Sequence, residues 1–500
     1  MQLLSIAGSG KPVPFERGER GAWAALIALT AFAALLRAIG LDGGLWLDEI
    51  ITLVESVRHP LTQIVTVFPG NNQHTLYSVL AHGSIALFGE RPWSLRLPAL
   101  LFGAATPAAL YLFARECTGR GEAMLASILV AVGYHFVWFS QNARGYSALA
   151  FFAVLSSWLL RRGQQRGRRG DFAAYAVACA LGAYTHLTMV FVAAGHAAAY
   201  LVRLGPPWRH EGLARWRLPL AGFTLAAVLS IALYAPLLLD VEQFFAKRAM
   251  PPPVATPEWA AKALLSGLEL GLGTALGAAA GALLLAVGLW SYLRQDRFLA
   301  ALFVLPGVFT LATVVALRQP IFPRFLFFLA PFAVLVVVRG GIVIGARLSR
   351  ASIAHAPAPL TPLGFALVIA MIAASAASLP YDYRYPKQDY AGALAFIDAR
   401  RAPTEPVAAA GGAIYPLREY YGRSWPEVRS ADELATLRAS GGRTWVVYTL
   451  AEYIAAEAPA LMRTLRDDCT VEAVFHGTVA GGDITVCAIP ASKRGGGKAT

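Results

Sequence analysis

The stretch "GAWAALIALTAFAALLRAIGLDGGLWLDEIITLVES", residues 21–56, decides how the rest of the chain is read. Its first part, about 22–41, is a run of apolar residues broken only by Arg37. A bilayer core about 30 Å thick is crossed by roughly 20 such residues in a helix, so the run reads as a membrane span. Immediately after it come two adjacent acids, Asp48 and Glu49, framed by Trp46, Leu47, Ile50 and Ile51. A solvated loop pair is one reading. The apolar frame favours another, in which at least one carboxylate sits at a partly dehydrated interface, where desolvation suits it to accept a proton.

The same pattern repeats along the chain. Of 500 residues, 57% are hydrophobic and only 15% charged, and the mean hydropathy is +0.53, which is too apolar for an ordinary soluble globule. Apolar runs at about 22–41, 93–114, 122–140, 147–160, 172–186, 187–202, 218–239, 268–292, 298–317, 323–338 and 362–379 predict a polytopic helical protein of about eleven spans. The formal charge of +13 is carried largely by short connections such as "RRGQQRGRRG" (161–170), "SYLRQDR" (291–297) and "GARLSR" (345–350). This is the positive-inside distribution and not a nucleic-acid patch. The polar start followed by an uncleaved apolar run predicts a signal anchor with a cytoplasmic N-terminus. Counting spans from there places residues 42–92, the turn "SQNARGYS" (140–147), the loop 240–266, the turn "RQPIFPR" (318–324) and everything beyond about Pro380 on the outer side.

From Tyr381 the composition becomes that of a soluble domain. "PVAAAGGAIY" and "TWVVYTL" read as buried strands, 431–440 and 451–467 as helices, and 470–476 and 483–489 as a final strand pair. The expected organisation is a transmembrane module, 1–380, a small α/β domain of the outer face, 381–490, and a disordered tail, 491–500. Of the four cysteines, only Cys469 and Cys487 share an oxidising compartment in this topology. A simple hairpin register would offset them by several residues, which leaves their pairing open.

Charges kept near apolar spans are functional candidates, because each is unfavourable by about 2.5–3.5 kcal/mol at a helix centre. Beside Asp48 and Glu49, with Arg37 three turns earlier, the outer side gathers "NNQHTLYSVL" with His74 and Tyr77, "FSQNARGYS" with Arg144 and Tyr146, and "QPIFPRFLFFLAP" with Arg324 and nearby Arg318. A lone interfacial histidine is usually structural, and an arginine at a helix end often only anchors to headgroups. Outer-side arginines that oppose the charge rule nevertheless suggest a bound anion, and a guanidinium fork suits phosphate.

In this order, "LWLDE", the segment 73–115 beginning "QHTLYSVL", "FSQNARGYS", "YTH" (184–186) and "PRFLFFLAP" (323–331) resemble the multi-spanning C-type glycosyltransferases, in the bacterial branch similar to protein O-mannosyltransferases and the lipid A aminoarabinose transferase. The resemblance covers about 25–340. It implies transfer of a sugar from a polyprenyl-phosphate carrier to a periplasmic acceptor, with inversion, in the bacterial inner membrane. Carried over, Asp48 is the general base and Glu49 an adjacent acid for orientation or metal contact. His74, Tyr77, Arg144 and Tyr146 are substrate-binding, with His186 and Arg324 lining the same cavity; Arg37, from its place in the first span before the acid pair, is a further substrate-binding candidate. A divalent metal ion is an open point, with Glu49 and His74 as first ligands. Two departures stand out: Thr75 replaces the usual prolines, which implies a less rigid backbone, and Asn142 replaces an acid often found before the Ala-Arg pair.

The competing reading is a polytopic transporter or lipid flippase, which also needs many spans and intramembrane charges. For the outer domain, Trp425, Trp445 and "EYYGRSW" (419–425) offer acceptor-stacking aromatics, with core packing as the stronger alternative.

Overall fold

A computed structural model describes residues 17–70, 72–206, 210–247, 256, 258–259, 261–262, 264–265, 275–317, 322–351, 358–439 and 442–490. The tail 491–500, Arg318 and residues 248–255 of the loop 240–266 therefore lie outside the described residues.

The first span forms α1, Arg17–Ala38. The segment after it folds into α2, Leu47–Thr52, continued by a single wide π-turn over Leu53–Val57, then α3, Leu61–Thr66, and α4, Thr75–Phe88. Helices α5 (Pro92–Arg115), α6 (Arg120–Val132), α7 (Tyr134–Ser140), α8 (Tyr146–Arg166), α9 (Arg169–Thr185), α10 (Met189–Leu204), α11 (His210–Tyr234) and α12 (Leu238–Lys247) follow. Three further long helices run over Ala275–Gln295, Arg297–Ala316 and Ala330–Leu348, the last preceded by the tighter turn Pro323–Leu329, and Pro362–Ala377 closes the bundle.

Among the described residues, seven helices are long and apolar enough to cross a membrane, or eight if the bent pair α6 and α7 is one span. Against the eleven spans expected from the sequence, the remaining runs form helices that are shorter, bent or charge-ended. The runs at 172–186 and 187–202 form helices of 17 and 16 residues, short for a full crossing. The run at 147–160 lies in α8, which ends in Arg161, Arg162 and Arg166. The run at 122–140 breaks by 55° between Val132 and Tyr134.

That break explains Arg37. The last carbonyls of α6 have no partner within their own helix. The buried Arg37 guanidinium supplies it, donating to Ala131 O at 2.9 Å and Val130 O at 3.3 Å, and through Nε to Ser140 Oγ at 3.1 Å. At the opposite end of the bundle Glu122 is buried, accepting from Arg339 Nε at 2.8 Å and Tyr292 OH at 3.0 Å. This joins α6 to the helices Ala275–Gln295 and Ala330–Leu348, which also cross closely enough that a Cβ on Gly288 or Gly340 would strike the facing backbone.

The C-terminal segment is an α/β unit. Its sheet has the order β1-β2-β4-β3, with β1 (Val407–Gly411) parallel to β2 (Thr444–Thr449) and antiparallel pairing of β2 with β4 (Ile484–Ile489) and of β4 with β3 (Thr470–Phe475). Alternation along the strands builds two cores. Val407, Ala409, Trp445, Val447 and Val486 face the helix Tyr390–Arg400. Ala408, Ala410, Val446 and Ile489 face Leu434, Ile454 and Leu461 on the other side. The strand expected through "PVAAAGGAIY" stops at Gly411, whose φ of 57° turns the chain into the helix Ile414–Glu419. The single helix expected over 451–467 is two, Ala451–Glu457 and Pro459–Asp467, because the residue before Pro459 leaves the helical region. Cys469 and Cys487 form a disulfide with their Cα atoms 5.6 Å apart. A register shift between Val471 and Ala473 changes the alignment of the strand pair.

Candidate active site

The loop between α1 and α2 is held by one buried ion pair. Arg96, in the second turn of α5, grips Glu49 with both arms, Nε to Oε1 at 2.7 Å and NH2 to Oε2 at 2.6 Å. Its remaining donors go to the carbonyls of Leu41, Gly43 and Gly44. Glu49 also accepts from Ala143 N at 2.7 Å and Trp46 N at 3.3 Å. Both partners are buried, 0% exposed for Glu49 and 3% for Arg96. Fully engaged in this way, Glu49 fixes the start of α2 against the α7–α8 turn.

Asp48, one residue earlier, points elsewhere. Its Oδ2 lies 3.1 Å from Arg144 NH1 and 3.4 Å from Arg324 NH1. Neither approach has hydrogen-bond geometry, so Oδ2 accepts no hydrogen bond, and the Nε–H groups of Arg144 and Arg324 have no partner either. Buried polar groups are nearly always paired. A half-buried acid whose inner oxygen is unpaired, between two cations with unpaired donors, makes this cluster the candidate site.

Around these three groups stand two histidines and a tyrosine. His74 packs edge-to-face on Tyr146 at 5.1 Å and on His186 at 4.8 Å, and Arg144 lies over the Tyr146 ring at 5.6 Å. Gly145 N donates to His74 Nδ1 at 2.6 Å, which leaves the ring proton on Nε2, facing Arg144 NH2 at 3.4 Å. A Cβ on Gly145 would come within 2.8 Å of that Nδ1, so glycine is needed for the close approach. His186, in the turn between α9 and α10, likewise accepts from Thr188 N at Nδ1. Burial first, then the neighbouring arginines, holds His74 well below the usual imidazole range and pushes His186 down to about 3. Both rings are thus neutral N–H donors, and with two guanidiniums they form a set of donors suited to an anion.

The structure separates the remaining expected residues from this cluster. Arg37 is occupied at the α6–α7 break, as described above. Tyr77 is fully buried and donates to Leu95 O at 2.6 Å, packed in an apolar cluster with Leu45 and Ile50. Glu49 faces Arg96 instead of Asp48's side. As metal ligands Glu49 and His74 do not fit: both carboxylate oxygens of Glu49 accept from N–H groups, and His74 accepts at Nδ1 and presents N–H at Nε2. Among the described residues no three His, Cys, Asp or Glu side chains converge as a metal site.

Three contributors escape a reading of the sequence. Arg96 carries the same signal as Arg324, an arginine at the outer end of a span. Asn72 donates to Asp48 O at 3.0 Å and to Thr52 Oγ1 at 3.2 Å, and its Oδ1 accepts from Arg144. Gln388, of the C-terminal segment, accepts from Leu47 N at 2.9 Å and donates to Thr449 Oγ1 and Gly482 O; nothing in local sequence marks it. Asn142 accepts from the Trp46 indole at 3.1 Å, a role in which an amide serves as well as an acid. Thr75 begins α4, and the preceding loop is tied by hydrogen bonds of Gln73 to Ile64 O and of Gly145 N to His74.

Comparison with known proteins agrees with this picture. Residues 75–247 match the dolichyl-phosphate-mannose-protein mannosyltransferase family. No curated protein matches the chain as a relative. Among solved structures, ArnT from Cupriavidus metallidurans in the apo state is similar over 94% of this chain and 98% of its own, with 14% identity and a TM-score of 0.54. The same enzyme bound to undecaprenyl phosphate has a TM-score of 0.51 at 14% identity, covering 94% and 98%. The archaeal oligosaccharyltransferase AglB from Archaeoglobus fulgidus, in complex with an inhibitory peptide and a dolichol-phosphate, gives a TM-score of 0.55 at 11% identity over 95% of this chain and 75% of its own. The chain thus has the membrane-embedded, multi-helical fold of these structures, and its residues 75–247 match the dolichyl-phosphate-mannose-protein mannosyltransferase family.

Proposed function

We propose that the chain moves a sugar from a polyprenyl-phosphate-linked donor to a periplasmic acceptor at the outer face of a bacterial inner membrane, inverting the anomeric carbon, with Asp48 as general base. The N-terminus is then cytoplasmic and the α/β unit, residues 381–490, periplasmic. The observation that carries this reading is Asp48 held between Arg144 and Arg324, both with unpaired Nε–H groups, and beside the neutral donors His74 and His186. The binding of undecaprenyl phosphate by ArnT supports the donor class.

The carrier phosphate takes the guanidinium donors that otherwise lie against Asp48. Donor binding thereby frees the carboxylate, which accepts the proton of the acceptor hydroxyl. The acceptor oxygen bonds to the anomeric carbon as the bond from that carbon to the phosphate oxygen breaks, and the electron pair leaves with the polyprenyl phosphate. Arg144 and Arg324 stabilise the charge that develops there, where a single such donor contributes about 3 kcal/mol in other enzymes. Tyr146 and His74 form the wall against which the sugar stands.

Purified protein incubated with a panel of polyprenyl-phosphate sugars tests the proposal. At least one donor is consumed with release of polyprenyl phosphate. Consumption of none, together with lipid transport across liposomes, would establish a flippase instead.

A further inference from the structure

Beside Gln73, one residue from Asn72 and His74 of the candidate site, lies a cavity of about 190 Å³. It is lined by Glu55, Ser56, His59, Gln63 and Gln73, with Ile64 among its apolar surfaces. Gln73 is only 8% exposed. Its amide nitrogen donates to Ile64 O at 2.8 Å, whereas Oε1 accepts no hydrogen bond. Buried acceptors are nearly always paired, and this one belongs to a side chain that lines the cavity. The backbone beside it is also unusual: Glu55 and Ser56 belong to the π-turn that directly continues α2, closed by Arg58 N to Leu53 O at 2.9 Å. Such turns sit frequently at functional sites.

The lining defines the ligand. Among the described residues no lysine or arginine lines this cavity, so it differs in kind from the cationic Asp48 cluster and offers no cation to a phosphate. The one acid, Glu55, is hydrogen-bonded to Tyr415, and burial raises its pKa toward the neutral form. Amide, hydroxyl and imidazole groups supply both donors and acceptors, and Ile64 with the neighbouring apolar residues supplies a surface for C–H groups. A few convergent polar groups over an apolar wall, in a space smaller than a drug-sized pocket of about 300 Å³ or more, match one or two uncharged sugar rings. The placement matches too: Asn72 touches Asp48 and Arg144, Gln73 lines the cavity, and His74 returns to the transfer site.

We propose that this cavity is a saccharide-binding subsite, which holds an uncharged sugar of the acceptor while its free hydroxyl reaches Asp48. The inference rests on the transferase reading above but is tested apart from it. The full chain in phosphatidylcholine nanodiscs is examined by saturation-transfer NMR with methyl α-D-mannopyranoside, methyl α-D-glucopyranoside and N-acetylglucosamine, without any lipid-linked donor. At least one sugar shows transfer to its ring protons in the wild type and equally in Asp48→Asn. The double variant His59→Ala, Gln63→Ala, both at partly or fully exposed positions, weakens that binding about tenfold, as loss of one or two hydrogen bonds implies. Arg144→Ala leaves it unchanged. Absence of transfer from every sugar, the cavity holding water alone, or signals equal in the double variant would overturn the subsite and leave the donor chemistry untouched. Inactivity toward all polyprenyl-phosphate sugars with saccharide binding intact would instead sink the transferase reading.

Discussion

At the scale of single residues, the two adjacent acids of "LWLDE" have opposite surroundings. Glu49 is sealed against Arg96, and Asp48 is held loosely by two arginines with unpaired donors. Removing one partner of a sealed pair leaves a buried charge, so Glu49→Ala is expected to destabilise the protein by about 3–5 kcal/mol, read as a lowered melting temperature. Arg144→Ala leaves the fold and is expected to reduce kcat by about 100- to 1,000-fold while weakening binding of undecaprenyl phosphate; unchanged affinity would refute a phosphate role. His186 gives a pH signature. Its folded-state value of about 3 lies below the ordinary imidazole value of 6.5. The unfolded chain therefore binds more protons between those limits, and stability falls as pH drops below about 6.5. In His186→Gln the loss of melting temperature between about pH 7 and pH 5 should be smaller than in the wild type; an equal loss would show that the histidine is solvated.

At the scale of elements, apolar length and loop charge made the helices legible, because both act along the chain. The bend at Gly133 was not, since it depends on a distant side chain. Arg37, expected to face substrate, caps the broken end of α6 instead. Its position near the outer end of a span was readable, but its direction around the helix was not. The same limit separates Tyr77, which hydrogen-bonds inward to Leu95 O, from His74, which reaches Gly145. Arg37→Met is accordingly expected to lower thermal stability without changing the affinity for undecaprenyl phosphate. A selective loss of that affinity would restore Arg37 to the site.

At the scale of the whole molecule, the α/β unit bears directly on the loop that carries Asp48. Gln388 holds Leu47 N, next to Asp48, and Trp138 donates to Thr478 Oγ1 at 2.9 Å. Trp445, a candidate for stacking on sugar, is instead 1% exposed and packed in the core. This unit therefore positions the loop through a polar contact that spans 341 residues of sequence, a separation at which local patterns carry no information. Its disulfide closes a loop of separation 18, so Cys487→Ser should destabilise that unit by about 3 kcal/mol. The central claim is that Asp48 takes the acceptor's proton while the arginines hold the carrier phosphate. Its most direct test is single-turnover sugar transfer by Asp48→Asn, a nearly isosteric change, with undecaprenyl phosphate affinity measured on the same preparation. The expected result is retained affinity with transfer slowed about 100- to 10,000-fold; transfer at the wild-type rate would contradict the account.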